Sequence, residues 1–440
     1  MSTKVVEQTY ISAQLPPGRV LTGAAYDQRR RVWNAAVDNH PAVVVRPETT
    51  DEVALAVRAA REVGLPISVR GGGHDWAGRA VRDGAMVIDL DAMRGVEIEG
   101  TVATVGGGAT ADELLGAAGD HGLSASLGTV GSVGVVGLLL GGGYGSLIGV
   151  LGLGIDSLLS AEVVLSDGRV TVTDPQHDPE LFWALRGGGG NFGVVTNVRL
   201  RLHPIPDVTA GTVAFSWTEA EQVLRHLGGL YENLDDAFDV MFGAMHTPDG
   251  TVLFTNPVWA GAAEAAVAQV DRVRALGNPV LDDVARRPLA QIVRALSESF
   301  PPGNHSRLSA RVVAHIDGAF IEAFTASVDA MPPTCALNVH FAHGAATRIA
   351  TDATAHTYRQ PHLVVEILGI WSDGDGAAEC DWVRDTERRL DGVSLSGGWT
   401  NLMAPDDARN RDAYGPNRTR LMAAKDHYDP DRVFSGVGAL

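Results

Sequence analysis

At 440 residues, 45% hydrophobic and 20% charged, the chain is too long for one hydrophobic core and too apolar for disorder, so two domains are expected. Its net charge of −18 repels phosphate backbones and anionic lipid, which argues against nucleic-acid and membrane partners. Two cysteines, Cys335 and Cys380, and an N-terminal stretch without an apolar run point to a cytoplasmic setting rather than a disulfide-stapled secreted protein.

Residues 41–47 (PAVVVRP) form a short apolar strand. Thr49 and Glu52 then have the spacing of a capping box, and residues 51–63 place Val53, Val57 and Ala60 on one helical stripe that Gly64 ends. Strands follow at 65–70, 85–89 and 101–105, and Thr110 with Glu113 opens another short helix. Residues 122–155 run without a charge, but twelve of the 34 are glycine, far too many for a stable transmembrane helix. The stretch is expected to be a buried, glycine-rich backbone surface. Strands 161–165 and 169–173 flank Ser166-Asp167-Gly168, a hairpin signal. Strand 193–202 alternates and ends at His203-Pro204-Ile205-Pro206, a plausible domain boundary.

Beyond residue 207 helical stretches (218–234, 262–276, 381–390) alternate with strands (238–245, 251–259, 307–315, 336–343, 362–371). This pattern predicts an antiparallel sheet backed by helices, an α+β second domain. Turn and strand character resumes at 428–434.

Three glycine clusters stand out: residues 70–78 (RGGGHDWAG), 128–145 (GTVGSVGVVGLLLGGGYG) and 186–193 (RGGGGNFG). Glycine lets a backbone approach a bulky ligand and turn its N–H groups onto phosphate oxygens, so three such loops suggest a dinucleotide. Tight turns explain any single cluster equally well. No G-x-G-x-x-G lies between a strand and a helix with an acidic residue downstream, so a nicotinamide Rossmann domain is disfavoured.

The strand running into Arg70-Gly71-Gly72-Gly73-His74 and Gly78 resembles the flavin-attachment loop of the vanillyl-alcohol-oxidase-type (PCMH-type) FAD-linked oxidases, in their bacterial berberine-bridge-enzyme-like branch. Residues 128–145, 179–187 (PELFWALRG) and 414–434 (YGPNRTRLMAAKDHYDPDRVF) agree with that family in order and spacing. The resemblance implies an FAD domain over 1–206, a substrate domain over 207–399, and a segment over 400–440 that returns to the FAD domain.

Residue by residue, it implies that Arg70, Gly71, Gly72, Gly73, His74, Asp75 and Gly78 hold FAD in the first loop. In the second it implies Thr129, Val130, Gly131, Val133, Gly134 and Gly137, then Gly141, Gly142, Tyr144 and Gly145. Val195 falls on the adenine side, and Asn417 lies in the C-terminal signature. Amides around residues 71–75 and 131–142 are expected to cradle the pyrophosphate. His74 aligns with the histidine that bonds the flavin C8-methyl carbon; outside this context it would be a turn residue. Doubly linked members carry a cysteine where this chain has Leu127, so a single 8α-histidyl link is expected. Val130 aligns with a position governing oxygen access, and its small side chain resembles the oxidase type.

For catalysis, Tyr144 is expected to face the flavin, the alternative being a packed core aromatic. His340 and His343, three apart on one strand, should point to opposite faces, so no metal is expected. Glu366 shares a strand face with Val364, Leu368 and Ile370, where a carboxylate has a raised pKa and acts as base, or pairs with Arg. Trp399 stands where relatives often have a catalytic tyrosine, two residues before Asn401, and an indole cannot take up that proton. Carbohydrate oxidation is thereby disfavoured against an aromatic or amine substrate. Tyr358 is a candidate replacement acid/base.

The leading expectation is an oxidase that moves a hydride from a small organic substrate to flavin N5 and is reoxidised by O2 to give H2O2. Natural-product tailoring is a variant with the same half-reaction. The alternatives are a flavin-bound binding or resistance protein without turnover, favoured by the loss of tyrosine at Trp399, and a dehydrogenase using another acceptor. Monomer and homodimer remain open.

Overall fold

The computed structural model describes residues 3–436 and Leu440. Near the N-terminus a four-stranded sheet runs in the order Val20–Leu21, Val43–Val45, Met86–Asp89, Ile67–Arg70, and its last three strands are parallel. The helix Thr50–Glu62 packs on it through Val53, Val57 and Ala60, the stripe expected from their spacing. The Thr49 hydroxyl accepts from the Glu52 amide, while the Glu52 carboxylate accepts from the amide of Glu48 rather than of Thr49. The second cap is a full reciprocal box between Thr110 and Glu113.

A five-stranded antiparallel sheet follows, in the order Val96–Glu99, Val102–Gly106, Val194–Arg201, Leu158–Val164, Val170–Thr173. The glycine-rich stretch lies over it as two short helices, Val135–Leu140 and Ile148–Leu151, joined by buried glycines. No helix among the described residues is long and apolar enough to cross a membrane.

Residues 208–371 contribute a nine-stranded antiparallel sheet. Its central strands are Gly250–Trp259, Phe238–Thr247, Ala336–Ala342, His362–Trp371 and His305–Val313. Alternation divides its faces. Leu337, Val339, Phe341, Leu363, Val365 and Ile367 join a core with the helices Ala220–Tyr231, Gly318–Asp329 and Ala377–Asp391. The opposite face carries Asn338, His340, Val364 and Glu366, and it is this polar face that borders the site described below. The mixed α+β class expected from the sequence is the one observed.

The C-terminal helix Arg418–Tyr428 packs against Pro179–Leu185, and Phe434 bridges to Ile67 in the first sheet. This helix went unread in the sequence, where turn and strand character was expected only for 428–434. Its buried positions are Leu421, Ala424, Lys425 and Tyr428, and a lysine inside that stripe breaks the apolar periodicity. Lys425 Nζ is held by Asp429, 2.5 Å away, and donates to the carbonyls of Asn191 and Phe434 at 2.6 and 2.7 Å.

Candidate active site

The strand Ile67–Arg70 ends beside the second glycine-rich loop. A Cβ on Gly72 would lie 2.5 Å from the Gly134 nitrogen, so the two loops touch backbone to backbone, and Gly73 takes a left-handed φ of 71°. Among the described residues no backbone acceptor engages the amides of Gly72, Gly73, His74 or Asp75. Four consecutive donors without partners suit an anionic group such as a pyrophosphate.

His74 is partly buried, stacks on Trp33 at 4.8 Å, and its Nε2 lies 3.0 Å from the Ser132 hydroxyl. Burial pushes its pKa down to about 4, so the ring is neutral at physiological pH and keeps a lone pair for bonding carbon. The donor run and the nucleophilic ring beside it fit a covalently held dinucleotide.

Other expected cofactor contacts are engaged within the protein. Arg70 pairs with Asp89 at 3.2 Å, and its guanidinium lies over Gly73. Asp75 is bound by Arg79, 2.6 Å away, which also donates to the carbonyls of Thr400, Asn401 and Met403. That clamp ties the first loop to the C-terminal segment. Gly78 has φ 78° and would clash with Val37 if it bore a Cβ.

In the second loop several of the amides expected to cradle the pyrophosphate are engaged within the protein. The Gly131 amide donates to Val293, that of Ser132 to the Ser297 hydroxyl, and that of Val133 to Val130. Those of Gly141 and Gly142 close helical turns onto Leu138 and Leu139. The helix Leu289–Ser299, unread in the sequence, packs against this loop at Gly131 and Ser132. Thr129 and Val130 are partly buried, Gly137 is exposed, and Gly145 would meet the Leu127 carbonyl. Val195 is buried in the core of the five-stranded sheet, and the Asn417 amide donates to the carbonyls of Thr351 and Thr354 at 2.7 and 3.0 Å.

Tyr144 projects from this loop toward the polar face of the nine-stranded sheet. Its hydroxyl donates to Glu366 Oε1. Asn338 Nδ2 lies 3.4 Å and His340 Nε2 3.7 Å from Glu366 Oε2. Burial opposes the Glu366 anion, but the His340 ring, the Tyr144 hydroxyl and Asn338 outweigh it and hold the carboxyl below its ordinary value. The expected raised pKa and arginine partner are therefore both wrong, because three donors converge on this carboxylate. Burial, reinforced by the Glu366 charge, raises the Tyr144 phenol well above its usual range.

Trp399 packs edge-on to Tyr144 at 4.7 Å, and its Nε1 donates to His362 Nε2 at 3.2 Å. The other His362 nitrogen then donates to the Gln360 carbonyl, at 2.7 Å, which fixes a neutral tautomer. Burial accordingly lowers the His362 pKa to about 4. Two further catalytic candidates sit beside this cluster, with the Tyr358 ring 5.3 Å from His362, but their polar groups are turned to backbone carbonyls. The Tyr358 hydroxyl donates to the Ser396 carbonyl, and burial pushes its pKa up to about 12. Asn401 donates to the Gly137 carbonyl at 3.2 Å and packs on Gly141.

His340 and Tyr144 line a small cleft together with Asp239, Phe341, Val364 and Trp399. The strand stops at Ala342, so His343 follows it into a turn, where its Nε2 lies 3.9 Å from Asp239 Oδ1. Among the described residues no group of three or more His, Cys, Asp or Glu is placed to hold a metal ion. Sequence reasoning missed Ser132, Trp33, Asn338 and Asp239. Only Asp239 left a signal, as the single charge in the apolar run 238–245.

An FAD binding domain matches residues 41–174, and a berberine and berberine-like segment matches residues 398–436. (R)-6-hydroxynicotine oxidase of Paenarthrobacter nicotinovorans is 31% identical across 93% of either chain. The FAD-linked oxidoreductase aurO of Gibberella zeae is 28% identical over 98% of this chain and 87% of its own. The crystal structure of 6-hydroxy-D-nicotine oxidase from Arthrobacter nicotinovorans superimposes with a TM-score of 0.86 at 29% identity, covering 95% of this chain and 96% of that one. Berberine bridge enzyme from Eschscholzia californica, at 20% identity, a TM-score of 0.87 and coverage of 98% and 97%, shares the fold.

Proposed function

The chain belongs to the PCMH-type FAD-linked oxidoreductases of the berberine-bridge-enzyme-like family, and from that premise we propose that it is an oxidase of a small organic substrate, with FAD carried on His74. The fold then divides as the family's does. Residues 1–206 and 400–440 hold the cofactor, and the sheet of residues 207–399 roofs the substrate.

When bound, the flavin supplies a two-electron acceptor that takes a hydride from substrate carbon and returns the electrons to O2 as H2O2. The protein supplies attachment, charge and proton handling. His74, kept neutral by burial, is the single attachment point, since Leu127 offers no second nucleophile. The amides of residues 72–75 receive the pyrophosphate. The high-pKa Tyr144 phenol and the Glu366 anion form a proton path: Tyr144 Oη accepts the substrate O–H or N–H proton as its own passes to Glu366 Oε1. Trp399, whose N–H is engaged by His362, shapes the cleft and takes no proton.

The observation that carries this reading is the Tyr144–Glu366 contact, which joins the glycine-rich loop to the roofing sheet at the cleft. Natural-product tailoring fits the same half-reaction. An oxygen-consumption screen of amines, alcohols and phenolic intermediates tests it, with catalase added to return half of the oxygen. Turnover that consumes no oxygen and proceeds only with an artificial electron acceptor would instead make the protein a dehydrogenase.

A further inference from the structure

The cleft holds two carboxylates in opposite conditions. Glu366 is surrounded by donors. Asp239 is only 6% exposed, yet no hydrogen-bond donor reaches its carboxylate among the described residues. Its strand neighbours Phe238 and Val240 turn into the helix-backed core, and its cross-strand partner is Val258, so Asp239 alone faces the cleft from that strand. His343 Nε2 is 3.9 Å away, beyond hydrogen-bond reach. Burial keeps the His343 ring neutral, with a pKa of about 4, so this is not an ion pair. Tyr144 and Trp399 supply aromatic walls, and among the described residues no lysine or arginine lines the cleft. A buried carboxylate without a donor is costly unless a ligand brings one.

We propose that Asp239 is the anchor for a protonated amine, so that the cleft selects organic ammonium substrates over neutral ones of the same shape. The inference rests on the oxidase reading and narrows its substrate class. The ammonium N–H donates to Asp239 Oδ1, and its positive charge lies among aromatic faces that favour cations. Glu366, with its donors in place, remains free for the proton path.

Burial raises the Asp239 carboxyl to about 7, an effect the nearby His340 ring opposes. The other titratable groups facing it are His343, Tyr144, Tyr231 and, behind His340, Glu366. Ammonium affinity therefore rises as pH increases through 7 and Asp239 ionises.

Calorimetry on the flavin-loaded protein at pH 8, with 2-phenylethylammonium and 2-phenylethanol as a matched pair, tests the assignment. Wild type should prefer the ammonium ion by about 10- to 100-fold, the scale of one charge-assisted hydrogen bond. Asp239→Asn should lose that preference while loading flavin normally, and Glu366→Gln should keep it. At pH 6 wild type should approach the Asp239→Asn variant. Equal affinities in wild type, no binding of the ammonium ion, or a preference that survives in Asp239→Asn overturns the proposal. Any of these results in protein that carries flavin defeats this inference alone, whereas protein that takes up no flavin defeats the oxidase reading beneath it.

Discussion

Glu366 and Tyr144 divide one task between them. The carboxylate is held ionised by three donors and the phenol is held neutral by burial, so a proton leaving substrate has somewhere to go. Glu366→Gln keeps the shape and removes the anion. Its turnover should fall by about 10²- to 10⁴-fold, the usual contribution of a positioned base, while its flavin content and unfolding midpoint stay near wild type. A variant that turns over normally would remove Glu366 from the proton path. The sequence pointed to Glu366 through its strand face but misjudged its charge. Strand alternation fixes which way a side chain points and says nothing about the donors Asn338, His340 and Tyr144 that a neighbouring strand and the glycine-rich loop bring to it. Asp239 was passed over for the same reason, since its isolation is visible only once its neighbours are in place.

Among the elements, the C-terminal helix Arg418–Tyr428 shows where periodicity fails. Lys425 occupies a core position, 1% exposed in its side chain, because Asp429 neutralises it and two carbonyls complete its bonds. Asp429 also accepts from the amides of Val433 and Phe434 at 2.9 Å, which holds the final residues against the first sheet. Lys425→Ala leaves a buried carboxylate without its partner and should cost about 3–5 kcal/mol in urea unfolding, the usual penalty for half a buried pair. A loss below about 1 kcal/mol, typical of an exposed pair, would show that the segment is held by other contacts. The strands and the two caps were legible because alternation and Thr-x-x-Glu spacing are local. The helix Leu289–Ser299 was not, since its contact with the second glycine loop at Gly131 and Ser132 is long-range and leaves no local signal.

Across the whole molecule, buried histidines set the response to acid. His343 and His362 are lowered to about 4 and His356 well below its ordinary value, all chiefly by burial. A lowered folded pKa means that the folded state binds fewer protons. Each imidazole therefore contributes stability that is present above pH 6.5 and lost as pH falls toward 4. Asp239, raised to about 7, acts oppositely, and its contribution is present in acid and lost as pH rises through 7. With His74 and His203 lowered in the same direction, the imidazoles outnumber Asp239 and give a net fall in stability from pH 7.5 to pH 5, read as a lower urea midpoint; a higher midpoint at pH 5 would mean that these rings are charged in the folded state. The overall class was legible because segment types change near residue 207, while the division of labour between the two parts depends on the cofactor. The most direct test is therefore to denature the purified protein in acid and compare intact masses of wild type and His74→Ala. The account predicts that colour stays with wild-type protein as one added FAD mass and is absent from the variant's mass. Flavin released freely from wild type, or still bound covalently to His74→Ala, would contradict attachment at this histidine.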